Sequence, residues 1–235
     1  MHNRSHLATM CNQLPGALIT LEGIDGSGKT LLLTRLKTYL TEQGYRVITT
    51  KEPGGTPIGK MLKRVLLEEE KACDPRVEYL LFAADRAEHF ARLVIPALEQ
   101  GAIVISDRMA DSALAYQGYG RGLDTSLITM VNEWAMRSIV PDATLYLKIS
   151  PELSAQRRAQ RSDSTDTLER EKLPFWQAVS DGYDAIAQTR ESFITIDASR
   201  SKEDVFEQAQ TALSSLLASK PLLAKDKHAY AVPNQ

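Results

Sequence analysis

The stretch GIDGSGKT, Gly23 to Thr30, decides the fold of this chain. It follows the apolar run ALITLE and precedes LLLTRLKTYL, so it joins a predicted buried strand to a predicted helix. Its spacing satisfies the pattern GxxxxGK[ST] through Gly23, Gly28, Lys29 and Thr30. Glycines let successive backbone N–H groups point inward, and the N-terminus of the following helix attracts an anion. The stretch is therefore predicted to be a cradle for phosphate groups.

The residue types within the cradle predict different tasks. Lys29 brings a positive charge to the donor phosphates and is a candidate catalytic residue, while the hydroxyl of Thr30 is a candidate ligand of Mg²⁺. A glycine-rich surface turn with an exposed lysine is the alternative, and the strand-to-helix context disfavours it. The whole stretch is predicted to contact nucleotide: Gly23, Ile24, Asp25, Gly26, Ser27, Gly28, Lys29 and Thr30.

A second acidic motif lies in AIVISDR, where Asp107 ends a hydrophobic run. A carboxylate at that point is a candidate magnesium ligand. Arg108 follows it, and a guanidinium can hold two phosphate oxygens at once, which suits a second bound phosphate better than an activated water. A surface ion pair between the two residues is the alternative. No Asn-Lys pair is present, so the guanine element of a GTPase is missing.

The predicted elements alternate between strand and helix along the chain. Strands are predicted at 17–22, 46–50, 102–106, 143–149 and 193–196, with helices between them at 30–43, 60–67, 78–100, 126–138, 151 onward, 170–189 and 202–217. This alternation predicts an α/β fold, a five-stranded parallel sheet with helices on both faces. Ligands of such sheets bind beyond the carboxyl ends of the strands, where the motifs above lie.

The chain has 235 residues, which suits one sizeable α/β domain. We expect a single domain over 17–217, a disordered extension over 1–16 and a tail over 218–235. The net charge of −2 argues against nucleic-acid and membrane-surface partners, which need a dense basic face. The two cysteines form no metal-binding or redox pair, so we expect reduced thiols and a cytoplasmic protein.

Four segments in one order carry a resemblance to a known family: TLEGIDGSGKT, KEPGGT, LLFAADRAEH and SDRMADSALAYQGYGRG. They resemble bacterial thymidylate kinases, over roughly Ala17 to Leu217. The resemblance implies the P-loop NTPase fold and transfer of a phosphoryl group from ATP to dTMP, with Mg²⁺, giving dTDP for dTTP synthesis. It also implies a homodimer. The alternatives are a kinase for another nucleoside monophosphate or for a deoxynucleoside, and a non-catalytic nucleotide-binding protein.

The resemblance also implies roles for residues on the acceptor side. Phe82 would stack on thymine and Arg86 would donate to a base carbonyl; taken alone, they are a core ring and a solvated charge. Tyr116 would crowd the 2′ position of the sugar; taken alone, it is a half-buried core ring. Together the candidate acceptor-binding residues are Asp25, Glu52, Pro53, Phe82, Arg86, Arg108, Ser112, Tyr116 and Gln117.

The polar stretch 157–170 resembles the family's mobile lid, which closes over the donor triphosphate. Arg158 and Arg161 stand where the family has catalytic arginines. The candidate catalytic residues are therefore Lys29, Arg108, Arg158 and Arg161. The chain departs from the family pattern at three positions that bear on these roles: Lys51 in place of arginine, Met109 in place of tyrosine or histidine, and Thr167 in place of arginine.

Overall fold

The computed structural model describes residues 14–67, 73–160 and 171–220. These residues form five strands: β1 (Ala17–Glu22), β2 (Val47–Lys51), β3 (Ile103–Asp107), β4 (Ala143–Lys148) and β5 (Phe193–Asp197). The strands make one sheet, all parallel, in the order β2-β3-β1-β4-β5. The predicted five-stranded parallel sheet is confirmed.

The described residues also form nine α-helices and two π-helical segments. The helices are α1 (Lys29–Glu42), α2 (Pro57–Leu67), α3 (Pro75–His89), α4 (Ile95–Glu99), α5 (Ala110–Ala113), α6 (Thr125–Ala135), α7 (Pro151–Ala159), α8 (Leu173–Ala187) and α9 (Lys202–Ser219). One π-helical segment, Phe90–Val94, joins α3 to α4, and the other, Leu114–Gly120, continues α5.

Helices cover the sheet on both faces, as the alternation of elements predicts. All six residues of β1 are buried, and its side chains divide between two apolar clusters. Ile19 and Leu21 join the larger cluster, which includes buried residues of α1, α8 and α9, whereas Leu18 joins a smaller one with Phe90 and Val94. A strand covered on both sides reads as a continuous apolar run, which is why ALITLE lacks the alternation of a half-exposed strand.

The order of the strands brings the predicted motifs together. Strand β1 is central and pairs with β3 on one side and β4 on the other. Leu21 of β1 lies opposite Asp107 of β3, so the cradle and the acidic motif leave adjacent strands at the same edge. The backbone N–H of Arg108 donates to the Leu21 carbonyl at 3.0 Å, which holds the two ends together.

Two helical regions differ from the sequence prediction. The single helix expected over 78–100 is a succession of α, π and α segments, and the wider π turn lies directly before Pro96. Proline lacks an N–H and clashes with the preceding turn, which accounts for this irregularity. The second region, 110–120, is helical, although no helix was predicted there.

Parts of three predictions lie outside the described residues: most of the N-terminal extension, the lid from 161 to 170 with Arg161, and the tail from 221 onward. The division into extension, domain, lid and tail therefore stays a prediction. Arg157 and Arg158, at the start of the predicted lid, lie in the last turn of α7. In the part of the chain that the structure describes, no helix is long and apolar enough to cross a membrane.

Candidate active site

The cradle depends on glycine at turning points of its backbone. Gly23, Gly26 and Gly28 have φ angles of 135°, 82° and 97°, a region that side chains with a Cβ rarely adopt. At Gly23 a Cβ would also lie 2.5 Å from the carbonyl oxygen of Leu147 on β4. The glycines of the motif are therefore required by backbone shape, and the loop ends where α1 begins at Lys29.

Lys29 lies folded into the cradle. Its Nζ donates to the carbonyl oxygens of Gly23 at 2.9 Å and Ile24 at 3.2 Å, and the side chain is buried. Burial and the nearby charge of Arg108 lower its pKa to about 8. A phosphate anion bound in the cradle favours the charged form, so donor binding and protonation of Lys29 support each other.

Thr30 and Asp107 meet as the sequence predicts. The Thr30 hydroxyl donates to Oδ2 of Asp107 at 3.0 Å, across the gap between α1 and the end of β3. Both groups offer oxygen atoms, the ligands that Mg²⁺ prefers, and Mg²⁺ keeps several waters beside one or two protein ligands. This pair, open to solvent on the Thr30 side, fits such a site.

Arg108 is the residue that joins the cradle to the neighbouring cavity. Its φ angle of 71° is left-handed, a conformation that costs about 1–3 kcal/mol in a residue with a side chain. The guanidinium forms an ion pair with Asp25 and donates to the Gly23 carbonyl at 2.9 Å and to the Tyr116 hydroxyl at 3.0 Å. The strained backbone therefore holds a fixed cation between the cradle and the neighbouring cavity.

Asp25 is the acidic partner in this arrangement. Its burial acts to raise the pKa, but the charges of Arg108 and Lys29 outweigh that effect, and the pKa lies below its ordinary value. Asp25 is therefore ionised at neutral pH. Its ion pair keeps Arg108 in place at the wall of the cavity, which both residues line.

A cavity of about 180 Å³ opens beside the cradle, past the ends of β2 and β3. It is lined by every residue that the sequence analysis assigns to the acceptor: Asp25, Glu52, Pro53, Phe82, Arg86, Arg108, Ser112, Tyr116 and Gln117. Lys51, which stands in place of the family's arginine, also lines it, as does Lys63, a cation that the motifs did not single out. The cavity thus has an apolar ring, several hydrogen-bonding groups and one more cationic side chain than carboxylates.

The far end of the cavity is fixed by a buried ionic cluster. Arg86 forms an ion pair with Glu52 at 2.9 Å and donates to Oδ1 of Asn132 at 2.7 Å and to the Met109 carbonyl at 3.2 Å. His89 lies 2.9 Å from the same glutamate. Since Arg86 shares its donors among three protein groups, its guanidinium is held rigidly at the cavity wall beside the half-buried ring of Phe82.

Helix α7 lies against the cradle and brings two arginines near it. The buried Ser154 donates from its hydroxyl to the Asp25 carbonyl at 2.7 Å. Arg157 donates to the carbonyls of Gly26 at 3.3 Å and Ala198 at 3.0 Å, so its side chain helps to hold α7 against the cradle. Arg158 has no such backbone acceptor among the described residues, and its Nε and Nη1 atoms are buried.

Comparison with known proteins agrees with this geometry. The family model described as thymidylate kinase matches residues 21–209, most of the chain. The chain belongs to the thymidylate kinase family. It is 45% identical over 192 residues to the thymidylate kinase of Halothermothrix orenii, covering 81% of this chain and 92% of that protein. It is 44% identical to that of Gloeobacter violaceus over 201 residues, covering 85% and 95% of the two chains.

A solved thymidylate kinase also matches the fold. The crystal structure of the enzyme from Ehrlichia chaffeensis superimposes with a TM-score of 0.70 at 33% sequence identity. The match covers 85% of this chain and 99% of that one. The P-loop NTPase fold expected from the cradle is therefore confirmed for this family member.

One departure from the family pattern has a structural account. The side chain of Met109 is 1% exposed and packs in the smaller apolar cluster, while its backbone N–H donates to Glu22 and its carbonyl accepts from Arg86. The backbone at this position thus supplies polar contacts, and a polar side chain is not needed for them. Lys51 is exposed at the cavity rim, and Thr167 lies outside the described residues.

Two residues of this family member that the sequence analysis did not assign complete the Arg108 network. Glu22, at the end of β1, accepts from the hydroxyls of Ser112 at 2.6 Å and Tyr183 at 2.8 Å. Arg108 donates to both of these hydroxyls, at 3.1 and 3.2 Å. Glu22 could have been predicted, because it is a carboxylate at the carboxyl end of a buried strand. The sequence around Tyr183 contains no comparable pattern.

Glu22 is predicted to make stability depend on pH. It is fully buried, and burial together with the nearby Asp111 raises its pKa to about 7, against 4.5 as the ordinary value. The folded protein therefore holds a proton that the unfolded chain releases, and the free energy of unfolding falls as pH rises from about 4.5 to about 7, by up to about 3 kcal/mol. Glu22→Gln should remove this fall in the free energy of unfolding, which is measured by urea titrations at several pH values between 4.5 and 8.

The matched control for this prediction is Glu99→Gln, at an exposed position on α4. It should leave the pH slope of the wild-type protein unchanged. Parallel slopes for the wild type and Glu22→Gln would show that Glu22 titrates alike in the folded and unfolded states.

Proposed function

We propose that this protein transfers the γ-phosphoryl group of ATP to dTMP, forming dTDP and ADP in the supply of dTTP. One observation carries the proposal: Arg108 contacts the cradle at the Gly23 carbonyl and also lines the acceptor cavity. A donor phosphate in the cradle and an acceptor phosphate in the cavity would thus lie on either side of one fixed guanidinium. The family's reaction requires this arrangement.

The chemistry needs little from the protein besides alignment. The nucleophile is a phosphate oxygen of dTMP, which is ionised at neutral pH, so no strong general base is required. Lys29 and Arg108 neutralise phosphate charge and bring the two phosphates to a common line, and catalysis rests on positioning and charge. Mg²⁺, held by Thr30 and Asp107 directly or through water, would supply further positive charge at the donor phosphates.

We assign the base and the sugar to opposite parts of the cavity. Phe82 presents its ring for stacking on thymine, and Arg86 reaches the base carbonyl from the buried ionic cluster. Tyr116, with Ser112 and Gln117 beside it, lies nearer Arg108 and would border the sugar. A ring of that size next to the 2′ position disfavours ribose.

On the donor side we assign Arg158 to the transferring phosphoryl group. Helix α7 is fixed to the cradle by Ser154, so Arg158 lies within reach of bound phosphates. A buried guanidinium with N–H groups that lack an acceptor among the described residues is costly, and a phosphate oxygen would satisfy them. Arg161, assigned to the same task, stays a prediction because it lies outside the described residues.

The test is a coupled ADP-release assay with dTMP, dUMP, dGMP, UMP and thymidine as acceptors. We expect the highest kcat/KM for dTMP, and a higher value for dUMP than for UMP, since these two differ only in the 2′-hydroxyl. Thymidine, which lacks the acceptor phosphate, should show no measurable turnover.

Each rival function gives a different result in the same assay. Equal or better turnover of thymidine would indicate a deoxynucleoside kinase, and preference for dGMP would indicate another nucleoside monophosphate kinase. No turnover of any acceptor by folded protein would indicate a non-catalytic nucleotide-binding protein. The retained Arg108 disfavours this last function, since binding a nucleotide in the cradle does not need a cation that also lines the acceptor cavity.

We also propose that the protein is a homodimer. Helix α3 packs between α2 and α6, and all three carry exposed apolar side chains at helical spacing. An exposed apolar patch of this extent on adjacent helices is typical of an interface. The residues are Ile58, Met61 and Val65 on α2, Val77 and Leu80 on α3, and Leu127, Met130 and Trp134 on α6.

Light scattering after gel filtration tests the dimer. We expect about twice the mass of the 26.1 kDa chain for the wild type, and a shift toward one chain for Leu80→Glu combined with Trp134→Glu. Ser215→Glu, on the exposed face of α9 at the other edge of the sheet, should leave the mass unchanged. A wild-type mass of one chain would refute the proposal.

Both substrates are cytoplasmic nucleotides, which supports the expected cytoplasmic location.

A further inference from the structure

The guanidinium of Arg158 lies over the ring of a tryptophan. Its Cζ atom is 4.0 Å from the ring centroid of Trp176, on helix α8. Its Nε and Nη1 atoms are buried and have no hydrogen-bond acceptor among the described residues. Stacking on the indole face leaves the N–H groups at the rim of the guanidinium available, since the ring contacts the face and not the edge.

Trp176 is itself fixed in place. The side chain is 1% exposed, and its Nε1 donates to the carbonyl of Glu171 at 3.1 Å. Its ring meets those of Tyr116 and Phe175 edge-on, with centroids 5.9 and 5.7 Å apart. A flexible arginine thus rests on a rigid platform, which reduces the freedom that its side chain would otherwise lose on meeting an anion.

The platform also connects the donor side with the acceptor side. Tyr116 packs against Trp176 with its ring and binds Arg108 with its hydroxyl. Arg158 and Arg108 are therefore spaced by two packed aromatic rings. The two guanidinium groups carry only donors and cannot hydrogen-bond each other, so the two rings separate them.

We propose that Trp176 is a positioning residue that holds Arg158 over its ring, with the N–H edge of the guanidinium turned toward the donor phosphates. The proposal rests on the donor-side role assigned to Arg158 above. Trp176 touches no substrate in this arrangement, and its contribution to kcat runs through the arginine, whereas its edge contact with Tyr116 is part of the core packing. Its removal should therefore lower kcat only while Arg158 is present.

A double-mutant cycle in kcat tests this dependence. A cation–π contact of this kind corresponds to about a three- to thirtyfold effect. Trp176→Leu should lower kcat by that factor in the wild-type background and by less than about twofold in the Arg158→Ala background. Trp176→Phe, which keeps an aromatic face, should lie between the wild type and Trp176→Leu, with KM for dTMP little changed.

Fluorescence gives a readout that does not depend on turnover. The chain has two tryptophans, and Trp134 is 77% exposed, so Trp134→Phe leaves Trp176 as the single emitter. Adding Arg158→Ala to that variant should change the emission maximum or intensity of Trp176. A non-hydrolysable ATP analogue with dTMP should change the emission when Arg158 is present and leave it unchanged in Arg158→Ala.

The control is Phe193→Leu, which removes a buried ring of the same core that packs on Tyr146 at 5.6 Å. It should lower stability without lowering kcat, and it separates the loss of core packing from the loss of the platform. Should Trp176→Leu fail to fold, Trp176→Phe and the fluorescence measurement still decide the question.

The outcomes separate this proposal from the function on which it rests. Equal losses of kcat for Trp176→Leu in both backgrounds, or Trp176 emission that is insensitive to Arg158→Ala, would overturn the positioning role. Wild-type kcat in Arg158→Ala, together with Arg158-dependent emission, would instead reject the donor-side role of Arg158 and with it the effect of the stack on catalysis.

Discussion

Replacement of Lys29 by alanine should lower kcat by at least about a hundredfold while the protein stays folded. Removing one preorganised donor from a transition state costs about 10²–10³ in rate, and Lys29 is the charged donor of the cradle. The residue is buried and holds the carbonyls of Gly23 and Ile24, so the substitution also costs about 1–3 kcal/mol of stability. The measurement is kcat with saturating ATP and dTMP, beside thermal unfolding.

The matched control is Lys37→Ala, an exposed lysine two turns further along α1. It removes the same charge and side chain from the same helix, and it should leave kcat within about twofold of the wild type. Near-normal turnover in folded Lys29→Ala would show that the cradle holds phosphate through its backbone alone.

The cradle could be predicted closely because its structure is local. Gly23, Gly26 and Gly28 are needed at positive φ within a single loop, and a strand and a helix directly flank that loop. The contact between Thr30 and Asp107 could also be predicted, because parallel strands bring their carboxyl ends to one edge. In both cases the sequence pattern and the physical requirement coincide.

The acceptor cavity was predictable only in part. The motifs and the resemblance to the family gave nine of the fourteen residues that line it, but the residues alone favoured a core ring at Phe82 and a solvated charge at Arg86. Arg86 is in fact buried within a cluster that includes Glu52, His89 and Asn132. Such a cluster needs the packing of α3 against α6, which no short sequence pattern specifies.

The residues that the sequence left unassigned are those whose partners are distant in the chain. Tyr183 lies 161 residues from Glu22, and their hydrogen bond exists only because α8 returns over the end of β1. Trp176 likewise meets Arg158 because α8 packs on α7. The π-helical segments were also missed, since a wider turn changes the helical period in ways that hydrophobic spacing does not reveal.

One of the two arginines at the end of α7 is the better candidate for catalysis. Two successive arginines, Arg157 and Arg158, have similar sequence surroundings but opposite environments. Arg157 donates from Nη1 to two backbone carbonyls, which holds α7 and the loop after β5 against the cradle. Arg158 stacks on an apolar ring and retains buried N–H groups without an acceptor among the described residues. An anion would satisfy these buried donors, and this need is not shared by Arg157.

Arg158→Ala should therefore lower kcat by more than about tenfold, which is about 1.4 kcal/mol or more in the barrier. Negative charge on the transferring phosphoryl group needs a cation, and an arginine aimed at it is worth up to about 10³–10⁵ in rate. KM for dTMP should move little, because the contact forms on the donor side and late in the reaction. Arg161→Ala is predicted to show a similar loss.

Arg157→Ala is the matched control, since it removes the same side chain from the neighbouring position of the same helix. It should lower stability and leave kcat within about threefold of the wild type. Wild-type kcat in both Arg158→Ala and Arg161→Ala would move the assignment to Arg170 or Arg121. Arg121 already pairs with Glu78 and Glu171, so it would have to break these ion pairs to reach a phosphate. That cost is why Arg158, which stacks on Trp176 and has no ion pair among the described residues, is the better source of the transition-state charge.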